Sequence, residues 1–375
     1  MKEALPGKIG SIKMLDNFYR NKKVLVTGHS GFKGSWLSVW LSMLDAEICG
    51  FSKDIPTNPS NFKSINIDKK IRHIIGDIKD INKLKKVFQD FKPEIVFHLA
   101  AQPLVRKSYK EPMDTFETNV LGTVNILECI KESSSVRAGV MITSDKAYRN
   151  QEWIWGYREN DLLGGEDPYS ASKGCAELVI NSYCKSFFQE GPFVASTRAG
   201  NVIGGGDWAE DRIVPDAVRA WVKKNPVIIR QPESTRPWQH VLEPLSGYLL
   251  LGKLLYEQGK TFAGQAYNFG PSNMDDKSVK DVLNSIKKYW DNAGWLIENH
   301  SSIAKESILL KLCCDKALSM LGWHSILSFE ESMQMTALWY KSFYENKDTD
   351  MLKFSFDQIK IYKKKAKELG LPWSK

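Results

Sequence analysis

A glycine-rich turn between a short strand and an amphipathic helix constrains the fold of this chain more than any other feature. The stretch from Lys23 reads KVLVTGHSGFKGSWLSVWLSML, with Gly28, Gly31 and Gly34 spaced as GxxGxxG. VLV is typical of a buried strand, and SWLSVWLSML carries apolar residues at helical spacing. Glycine here permits a tight turn, close approach of the backbone to a pyrophosphate and close helix–strand packing. Free N–H groups at the helix N-terminus would face the phosphates, so the turn predicts dinucleotide binding.

Four further apolar stretches alternate with helical patterns after this turn. We predict strands at residues 72–78, 94–101, 138–145 and 193–204. Near-continuous apolar strands separated by helices indicate a parallel sheet that is covered on both faces. The predicted fold class is therefore α/β, a Rossmann-type doubly wound parallel sheet with a smaller, mostly helical C-terminal substrate lobe. Ligands in such sheets bind at the carboxyl ends of the strands.

Composition excludes several other classes of protein. A net charge of +8 over 375 residues is mild and dispersed, which argues against nucleic acid as a partner. The six cysteines show no CxxC spacing and no nearby histidine, so we predict no metal site and no disulfide framework. No apolar run reaches the ~18 residues that span a bilayer, and no signal-peptide pattern is present. We therefore expect a cytoplasmic protein without membrane partners, for which Met14 would serve as a start as well as Met1.

A tyrosine and a lysine one helical turn apart suggest acid–base chemistry. The helical pattern PYSASKGCAELVINSYCKSFF places Tyr169 and Lys173 on the same face. A phenol is a poor base at neutral pH, but a neighbouring ammonium and a positive nicotinamide ring would stabilise the phenolate and lower its pKa. Tyr169 would then take a proton from a substrate hydroxyl. Ser144, at the end of the preceding strand, is placed to share the hydrogen bonds of that hydroxyl.

These residues together resemble the extended short-chain dehydrogenase/reductase superfamily of nucleotide-sugar enzymes. Longer strings, including VTGHSGFKGSWL, TSDKAY, DPYSASKGCAELV and RAGNVIGGGDWAEDRIVPD, are similar to its 4,6-dehydratases that act on CDP-glucose. The similarity is dense from about residue 18 to residue 270. The resemblance implies a lyase that uses NAD in an internal redox cycle, with CDP-glucose as substrate and a homodimer, or a tetramer, as the assembly.

The resemblance also implies roles for the catalytic residues. Tyr169 would remove the 4-hydroxyl proton as hydride leaves C4, and the resulting ketone would acidify the C5 proton. Asp145 would donate a proton to the departing 6-hydroxyl, and Lys146 would act at C5. Lys146 is open to three interpretations: a base with a pKa lowered by burial and neighbouring cations, a charged stabiliser of the enolate, or a structural salt bridge to Asp145.

The predicted cofactor site extends beyond the three glycines. Its candidate residues follow the strands or lie in the catalytic helix: Gly28, Gly31, Phe32, Lys33, Gly34, Asp77, Ile78, Ala100, Ala101, Gln102, Asn119, Tyr169 and Lys173. An acidic residue directly after the second strand would select NAD, but GFSKD places Lys53 before Asp54. The local residues therefore favour NAD over NADP only modestly.

The predicted substrate side lies in the second half of the chain. Its candidates are an amide, three guanidinium groups and an indole: Asn201, Arg212, Arg230, Arg236 and Trp155. A guanidinium fork suits two phosphate oxygens, and Arg236 in RPWQH is the preferred diphosphate ligand. The aromatic stretch 150–161 is interpreted either as lining the active site or as packing alone. His240 is interpreted as a packed residue and not a catalyst.

The predicted domains follow from these assignments. Residues 1–17 form an N-terminal tail, and 18–200 form the dinucleotide-binding domain, to which 237–270 returns. The segments 201–236 and 271–375 form the nucleotide-sugar-binding lobe. Within it, helices are predicted at 278–290, 328–345 and 357–369, after a strand at 267–271.

Two other functions remain compatible with parts of the pattern. A nucleotide-sugar epimerase or reductase would use the same Tyr169 and Lys173, but it has no need of the Asp145–Lys146 pair. A non-catalytic dinucleotide-sensing protein would have no reason to hold Ser144 beside them. The residues that read cytosine are not identifiable from the sequence.

Overall fold

The computed structural model describes residues 15–271, 277–291, 293–297 and 309–374. Residues 1–14 of the predicted tail lie outside the described residues. The rest of the predicted tail overlaps a short helix, and Leu15 within it is buried in the core.

Strands and helices alternate through the first half of the described chain. The strands are β1 Lys23–Thr27, β2 Glu47–Ser52, β3 Arg72–Ile75, β4 Ile95–His98, β5 Ala138–Ile142, β6 Phe193–Arg198, β7 Val202–Ile203, β8 Val227–Ile229, β9 Thr235–Arg236, β10 Gln239–His240, β11 Ala266–Asn268, β12 Lys277–Ser278 and β13 Trp295–Ile297. The α-helices are α1 Leu15–Phe18, α2 Phe32–Met43, α3 Asn61–Ser64, α4 Ile81–Phe91, α5 Val105–Lys110, α6 Pro112–Phe116, α7 Gly122–Glu132, α8 Pro168–Ser186, α9 Ile213–Val222, α10 Leu242–Phe262, α11 Val279–Ile286, α12 Asp315–Leu321, α13 Phe329–Glu345 and α14 Met351–Glu368. Shorter helical turns are the 3₁₀ segments Ile67–Lys69, Asp145–Ala147, Lys287–Tyr289 and Pro372–Ser374 and the π-helical turn Glu117–Leu121.

Seven parallel strands form the central sheet, in the order β11-β6-β5-β4-β1-β2-β3. This order confirms the predicted doubly wound sheet, with its switch point between β1 and β4. The strand predicted at 267–271 is the edge strand β11, which pairs with β6. The predicted strands are longer than the observed ones because their last residues leave the sheet, and 193–204 divides into β6 and β7.

Each face of the sheet carries its own apolar core. One core packs α4, α7 and α8 against the sheet through side chains such as Phe88, Ile126 and Ile180. The other core contains α2 and α10 and continues into the C-terminal helices, with Trp36, Leu249 and Trp339 fully buried. Helices on both faces explain why the strands read as continuous apolar runs.

The C-terminal helices pack on the dinucleotide half as well as on one another. Tyr362 of α14 lies edge-on against Trp40 of α2, with ring centroids 5.7 Å apart. α14 begins earlier than predicted because Asp350 caps it, accepting hydrogen bonds from the backbone of Leu352 and Lys353. Within the described residues, no helix combines the length and apolarity needed to cross a bilayer.

Candidate active site

The glycine-rich turn forms a cradle that only glycine fits. Gly28 has a φ of +73°, and a Cβ there would lie 2.7 Å from the backbone nitrogen of Ala100. A Cβ on Gly34 would lie 2.1 Å from the carbonyl oxygen of Gly28. Gly31 is different, since a Cβ there would meet only that same carbonyl, at 3.4 Å. A side chain at Gly31 would thus extend into the space before α2, where a pyrophosphate meets the helix N-terminus.

The loop after β4 forms the next part of the cradle. The Gln102 amide N–H donates to Asn119 Oδ1 at 2.8 Å, and Asn119 Nδ2 donates to the Gln102 carbonyl at 3.1 Å and to Ser172 Oγ at 2.9 Å. Ala100 and Ala101 are half-buried beside it. The Asn119 side chain therefore bonds to protein groups and fixes the loop to α8.

The charged residues that follow β2 and β3 partly neutralise each other. Lys53 Nζ lies 3.5 Å from Asp77 Oδ2, and Asp77 Oδ1 accepts a hydrogen bond from the Lys79 backbone at 2.9 Å. Ile78, the next residue, is buried against Gly122. Because Asp77 already faces Lys53, Lys53 is less available to a 2′-phosphate, which agrees with the preference for NAD.

A histidine pair supports the same turn and was not identified from the sequence. His29 Nε2 lies 2.6 Å from His73 Nδ1, and His29 Nδ1 lies 2.9 Å from Ser52 Oγ. Burial lowers the pKa of His29 to about 3, so the ring is neutral at pH 7. The pair ties the glycine turn to β2 and β3.

The residues after β5 form a tight 3₁₀ turn at the carboxyl edge of the sheet. Ser144 Oγ donates to Asp145 Oδ1 at 3.0 Å and accepts from the Lys146 backbone at 3.2 Å. The Asp145 carboxylate packs on Gly200, where a Cβ would lie 1.7 Å from Oδ2. Lys146 is half-buried and forms no ion pair with Asp145 in the described part of the chain. The salt-bridge interpretation of Lys146 is therefore wrong.

Tyr169 lies in the first turn of α8, facing this turn. Asp167 caps the helix, and the Tyr169 backbone donates to Ser108 Oγ at 3.1 Å. Burial raises the pKa of Tyr169 to about 12, opposed by a hydrogen bond with Ser144 and by the charge of Arg212. Within the protein, burial thus outweighs the neighbouring cation, and the predicted lowering of this pKa, which also involves the nicotinamide charge, stays a prediction. That cation is Arg212, whereas the sequence suggested Lys173.

Lys173 is buried one turn further along α8. It is 6% exposed and has no hydrogen-bond or ion-pair partner among the residues the structure describes. Burial lowers its pKa to about 8, and the charge of Glu177 opposes that shift. A buried ammonium without a protein partner fits hydroxyl groups of a bound nucleotide.

Arg212 lies at the N-terminus of α9 and is held by a buried carboxylate. Its Nη1 lies 2.7 Å from Asp207 Oδ2, and Asp207 is 4% exposed. The Asp207 charge raises the pKa of Arg212, which also acts electrostatically on Tyr169. The sequence predicted Arg212 as a diphosphate ligand, which stays a prediction; in the structure the Arg212 charge also acts on Tyr169.

The other predicted substrate residues are more widely spread. Asn201 follows β6 with a φ of +47°, beside the glycine that contacts Asp145. Arg236 lies in β9 and donates to the Thr235 carbonyl at 2.8 Å. Arg230 is exposed after β8, so the structure does not bring it into contact with the catalytic groups. His240 is fully buried with its pKa lowered to about 3 by burial, as expected of a packed residue.

The aromatic stretch 150–161 is anchored by one of its tyrosines. Tyr157 is buried, its backbone bonds to Lys311 and Cys313, and Trp153 stacks on its ring with centroids 5.4 Å apart. Trp155, a predicted substrate ligand, is 59% exposed. Its ring nevertheless lies against Trp153, with centroids 5.4 Å apart, so all three aromatic side chains pack on one another.

One charged side chain of this site was not identified from the sequence: Asp207, which holds Arg212. Lys33, a predicted cofactor residue, is half-buried in the first turn of α2, and burial lowers its pKa to about 8. Among the described residues, no cluster of His, Cys, Asp or Glu is placed to hold a metal ion.

Comparison with known proteins gives consistent matches. A family model described as GDP-mannose 4,6 dehydratase matches residues 25–336. The CDP-glucose 4,6-dehydratase of Salmonella typhimurium is 50% identical over 345 residues, which cover 89% of this chain and 95% of that protein. The structure of dTDP-glucose 4,6-dehydratase from Bacillus anthracis in complex with NAD matches with a TM-score of 0.71 at 22% identity, covering 89% of this chain and 99% of that one. UDP-glucose 4-epimerase from Thermotoga maritima matches with a TM-score of 0.74 at 21% identity, covering 85% and 99%. At these identities the two solved structures establish a shared fold.

Proposed function

The chain belongs to the GDP-mannose 4,6-dehydratase family, and on that premise we propose that it is a lyase converting CDP-D-glucose to CDP-4-dehydro-6-deoxy-D-glucose and water. The observation that carries the proposal is the position of Asp145 beside Ser144 and Tyr169 at one edge of the sheet. An elimination needs an acid for the departing hydroxyl, and an epimerase does not. The 50% identity to the Salmonella typhimurium CDP-glucose enzyme supports the choice of nucleotide.

The residues of the glycine turn fit NAD. Gly28 and Gly34 allow the turn, Gly31 leaves space before α2, and Lys173 offers a buried ammonium to ribose hydroxyls. A nicotinamide held here would supply the hydride chemistry of the reaction, removal of hydride from C4 of the hexose and its return to C6. The ion pair between Lys53 and Asp77 supports NAD over NADP. The other predicted cofactor residues are proposed to form the walls of this site.

Tyr169 is the proposed base of the first step. Its phenol oxygen takes the proton of the 4-hydroxyl, and Ser144 orients that hydroxyl through a shared hydrogen bond. Burial raises the pKa of Tyr169 to about 12, and Ser144 and Arg212 oppose this shift. Lys173 and the positive charge of the oxidised nicotinamide add to that opposition once the cofactor is bound.

Asp145 and Lys146 carry out the second step. The 4-ketone acidifies the C5 proton, and Asp145 protonates the 6-oxygen, which leaves as water. Ser144 and Gly200 fix the Asp145 carboxylate, so its proton is delivered from one position. Lys146 acts at C5 as the base or as a stabiliser of the enolate. It forms no ion pair with Asp145 within the described chain, which leaves its side-chain nitrogen available for either role, as a neutral amine for the base or as an ammonium for the stabiliser.

The second half of the chain is proposed to bind the CDP group. Arg236 is the proposed diphosphate ligand, with Asn201 beside the sugar and Arg212 between the diphosphate and Tyr169. Trp155 and Arg230 are proposed at the outer margin, in keeping with their exposure. Residues 18–200 with 237–270 then serve as the dinucleotide domain, and 201–236 with 271–375 as the nucleotide-sugar lobe.

The proposed assembly is a homodimer formed through the helices beside α8. Large apolar side chains are exposed there, including Met113, Leu121 and Leu178 at 75%, 56% and 59%. Light scattering should give a dimer mass that Leu178→Glu reduces to a monomer; a tetramer would indicate a second interface. The proposed context is cytoplasmic deoxysugar biosynthesis, such as that of the lipopolysaccharide O-antigen.

The experiment that tests the function uses deuterated water. Purified protein with NAD and CDP-glucose should give a product that has lost one water and gained one deuterium at C5. Unchanged CDP-glucose, with NAD shown to be bound, would contradict the substrate. A C4-epimerised hexose without loss of water would contradict the lyase and indicate the epimerase.

A further inference from the structure

Tyr148 ends the turn that carries Asp145 and Lys146, and the proposed reaction gives it no role. Its backbone N–H donates to the Asp145 carbonyl at 3.2 Å, which closes the 3₁₀ turn. The side chain is 1% exposed. Burial raises the pKa of Tyr148, so its hydroxyl stays protonated at neutral pH and serves as a hydrogen-bond donor.

A fully buried amide on the edge strand of the sheet holds the hydroxyl of Tyr148. The hydroxyl donates to Oδ1 of Asn268, which lies in β11, and the two atoms are 2.8 Å apart. Asn268 also donates through Nδ2 to the carbonyls of Tyr157 at 2.9 Å and of Cys313 at 3.0 Å. Because these bonds use both its oxygen and its amide nitrogen, Asn268 presents a fixed acceptor to Tyr148.

The ring of Tyr148 contacts the ion pair that holds α8. The guanidinium carbon of Arg198 lies 4.7 Å from the ring centroid, and Arg198 is paired with Glu177 at 2.9 Å. Tyr157 also stacks on the ring of Tyr148, with centroids 5.2 Å apart. A buried cation and a stacked aromatic ring therefore restrict the side chain that ends the turn.

The beginning of the turn is held separately. Thr143 directly precedes Ser144, and its hydroxyl donates to Glu177 and, at 3.0 Å, to the Thr197 carbonyl. These bonds fix the residue that begins the turn to the sheet and to α8. The two residues that follow it lie between this anchor and Tyr148, so their positions depend on both ends of the turn.

We propose that Tyr148 is a positioning residue for the elimination step. Its buried contacts set where Asp145 and Lys146 lie relative to C5 and C6 of the hexose. The inference rests on the proposed function. In that step the C5 proton passes to the base and the electrons of the C5–H bond form the C5–C6 double bond. The C6–O bond breaks, and the Asp145 proton goes to the departing oxygen, which leaves as water.

Oxidation at C4 depends less on Tyr148. The base of that step, Tyr169, lies on α8, and its backbone donates to Ser108 Oγ at 3.1 Å. Ser144 lies next to the anchor at the beginning of the turn. Loss of the Tyr148 contacts should therefore slow elimination more than oxidation, because elimination needs two groups of the turn aligned with neighbouring carbons.

The test uses Tyr148→Phe, which removes the hydroxyl and keeps the ring. With CDP-glucose, kcat should fall by about 10-fold. Nicotinamide reduction by CDP-6-deoxyglucose, which can be oxidised at C4 but has no 6-hydroxyl, should change by less than about 3-fold. Stopped-flow absorbance should show more reduced nicotinamide during turnover of CDP-glucose than in the wild type. Tyr148→Leu also loses the ring and should lower kcat by about 100-fold; if it does not fold, the Phe variant carries the test.

Tyr19→Phe is the matched control. Tyr19 is fully buried before β1, and its hydroxyl donates to the Leu249 carbonyl at 2.6 Å, at the opposite edge of the sheet from the turn. Both Phe variants should lower the thermal midpoint of unfolding, but only Tyr148→Phe should change the ratio of the two rates. Equal losses of both rates in Tyr148→Phe, or an unchanged kcat, would overturn the proposal. A wild-type protein that leaves CDP-glucose unchanged would instead overturn the proposed function.

Discussion

The side chain of Asp145 is held in one position by its neighbours. Ser144 donates to one carboxylate oxygen, and the other oxygen lies against the backbone of Gly200. Neither contact is provided by Lys146, although it is next in the chain. The carboxylate is thus positioned by groups at the ends of two adjacent strands, β5 and β6.

Asp145→Asn should separate the two halves of the reaction. The amide cannot donate an acidic proton, so we expect turnover of CDP-glucose to fall by about 10²- to 10⁴-fold. Reduction of the nicotinamide by CDP-6-deoxyglucose should persist, because Tyr169 and Ser144 are unchanged. Stopped-flow absorbance of the reduced nicotinamide checks this, and an equal loss of both activities would contradict the assignment of Asp145.

Gly200→Ala should impair the same step, although it replaces none of the proposed catalytic side chains. Its Cβ would lie 1.7 Å from Asp145 Oδ2, so the carboxylate must move. We expect kcat to fall by at least about 10-fold, since misplacement of an acid by 1 Å is costly. Gly294→Ala is the matched control, because a Cβ there meets nothing within 4 Å. Wild-type kcat in Gly200→Ala would show that Asp145 tolerates displacement.

At the scale of elements, a buried ion pair fixes α8 to the sheet. Glu177 of α8 lies 2.9 Å from the guanidinium of Arg198 in β6, and both side chains are 4% exposed. Glu177 also accepts hydrogen bonds from Thr143 and from Ser196, the latter at 2.7 Å. Burial would raise the pKa of Glu177, but Arg198 and these hydroxyls lower it overall. The helix that carries Tyr169 and Lys173 is therefore held in register by a carboxylate on its own inner face.

Removing one member of this pair should be costlier than removing both. Arg198→Met leaves Glu177 buried without its counter-charge, and we expect about 3–5 kcal/mol of lost stability. In the double variant Arg198→Met with Glu177→Met the penalty should be smaller, because no uncompensated charge remains. Urea unfolding of the four proteins measures the coupling. A double variant that is less stable than either single variant would contradict this account.

At the scale of the whole molecule, a buried carboxylate on α10 connects the dinucleotide half to the C-terminal helices. Glu243 is 1% exposed and accepts hydrogen bonds from the backbone of Ile326 and Leu327 and from the hydroxyl of Tyr362 in α14. It thereby connects the dinucleotide half to the last helix. Burial raises its pKa from 4.5 to about 7, despite these donors.

This shift predicts a pH dependence of global stability. Because the folded pKa lies above the unfolded one, the folded state binds the proton more tightly. The contribution of Glu243 to the free energy of unfolding is fully present below pH 4.5 and is lost as the pH rises through 7. The free energy of unfolding should change by up to about 3 kcal/mol over this range. Glu243→Gln should flatten this part of the stability profile. Identical profiles for the two proteins between pH 4.5 and pH 8 would contradict the assignment.

The sequence alone determined the class of sheet and the glycine turn, and it named the candidate catalytic residues. These features depend on short-range patterns: apolar runs, glycine spacing, and a Tyr and Lys one turn apart. Strand ends were predicted too long; after β4, for example, residues 99–101 leave the sheet although they remain apolar. Likewise, the tail prediction ran into α1, since a four-residue helix carries too little pattern to be distinguished.

Tertiary structure alone decided which charges meet. Lys33, Asp145, Lys173 and Arg212 are more than 170 residues apart at their extremes, and each reads in sequence as a local feature. The sheet order brings their segments to one edge, so the charge of Arg212 acts on Tyr169 and the charge of Asp145 acts on Lys33. Burial then sets the pKa of each group, and burial depends on the whole fold. The sequence could name these groups, but only their packing determines which of them act on one another.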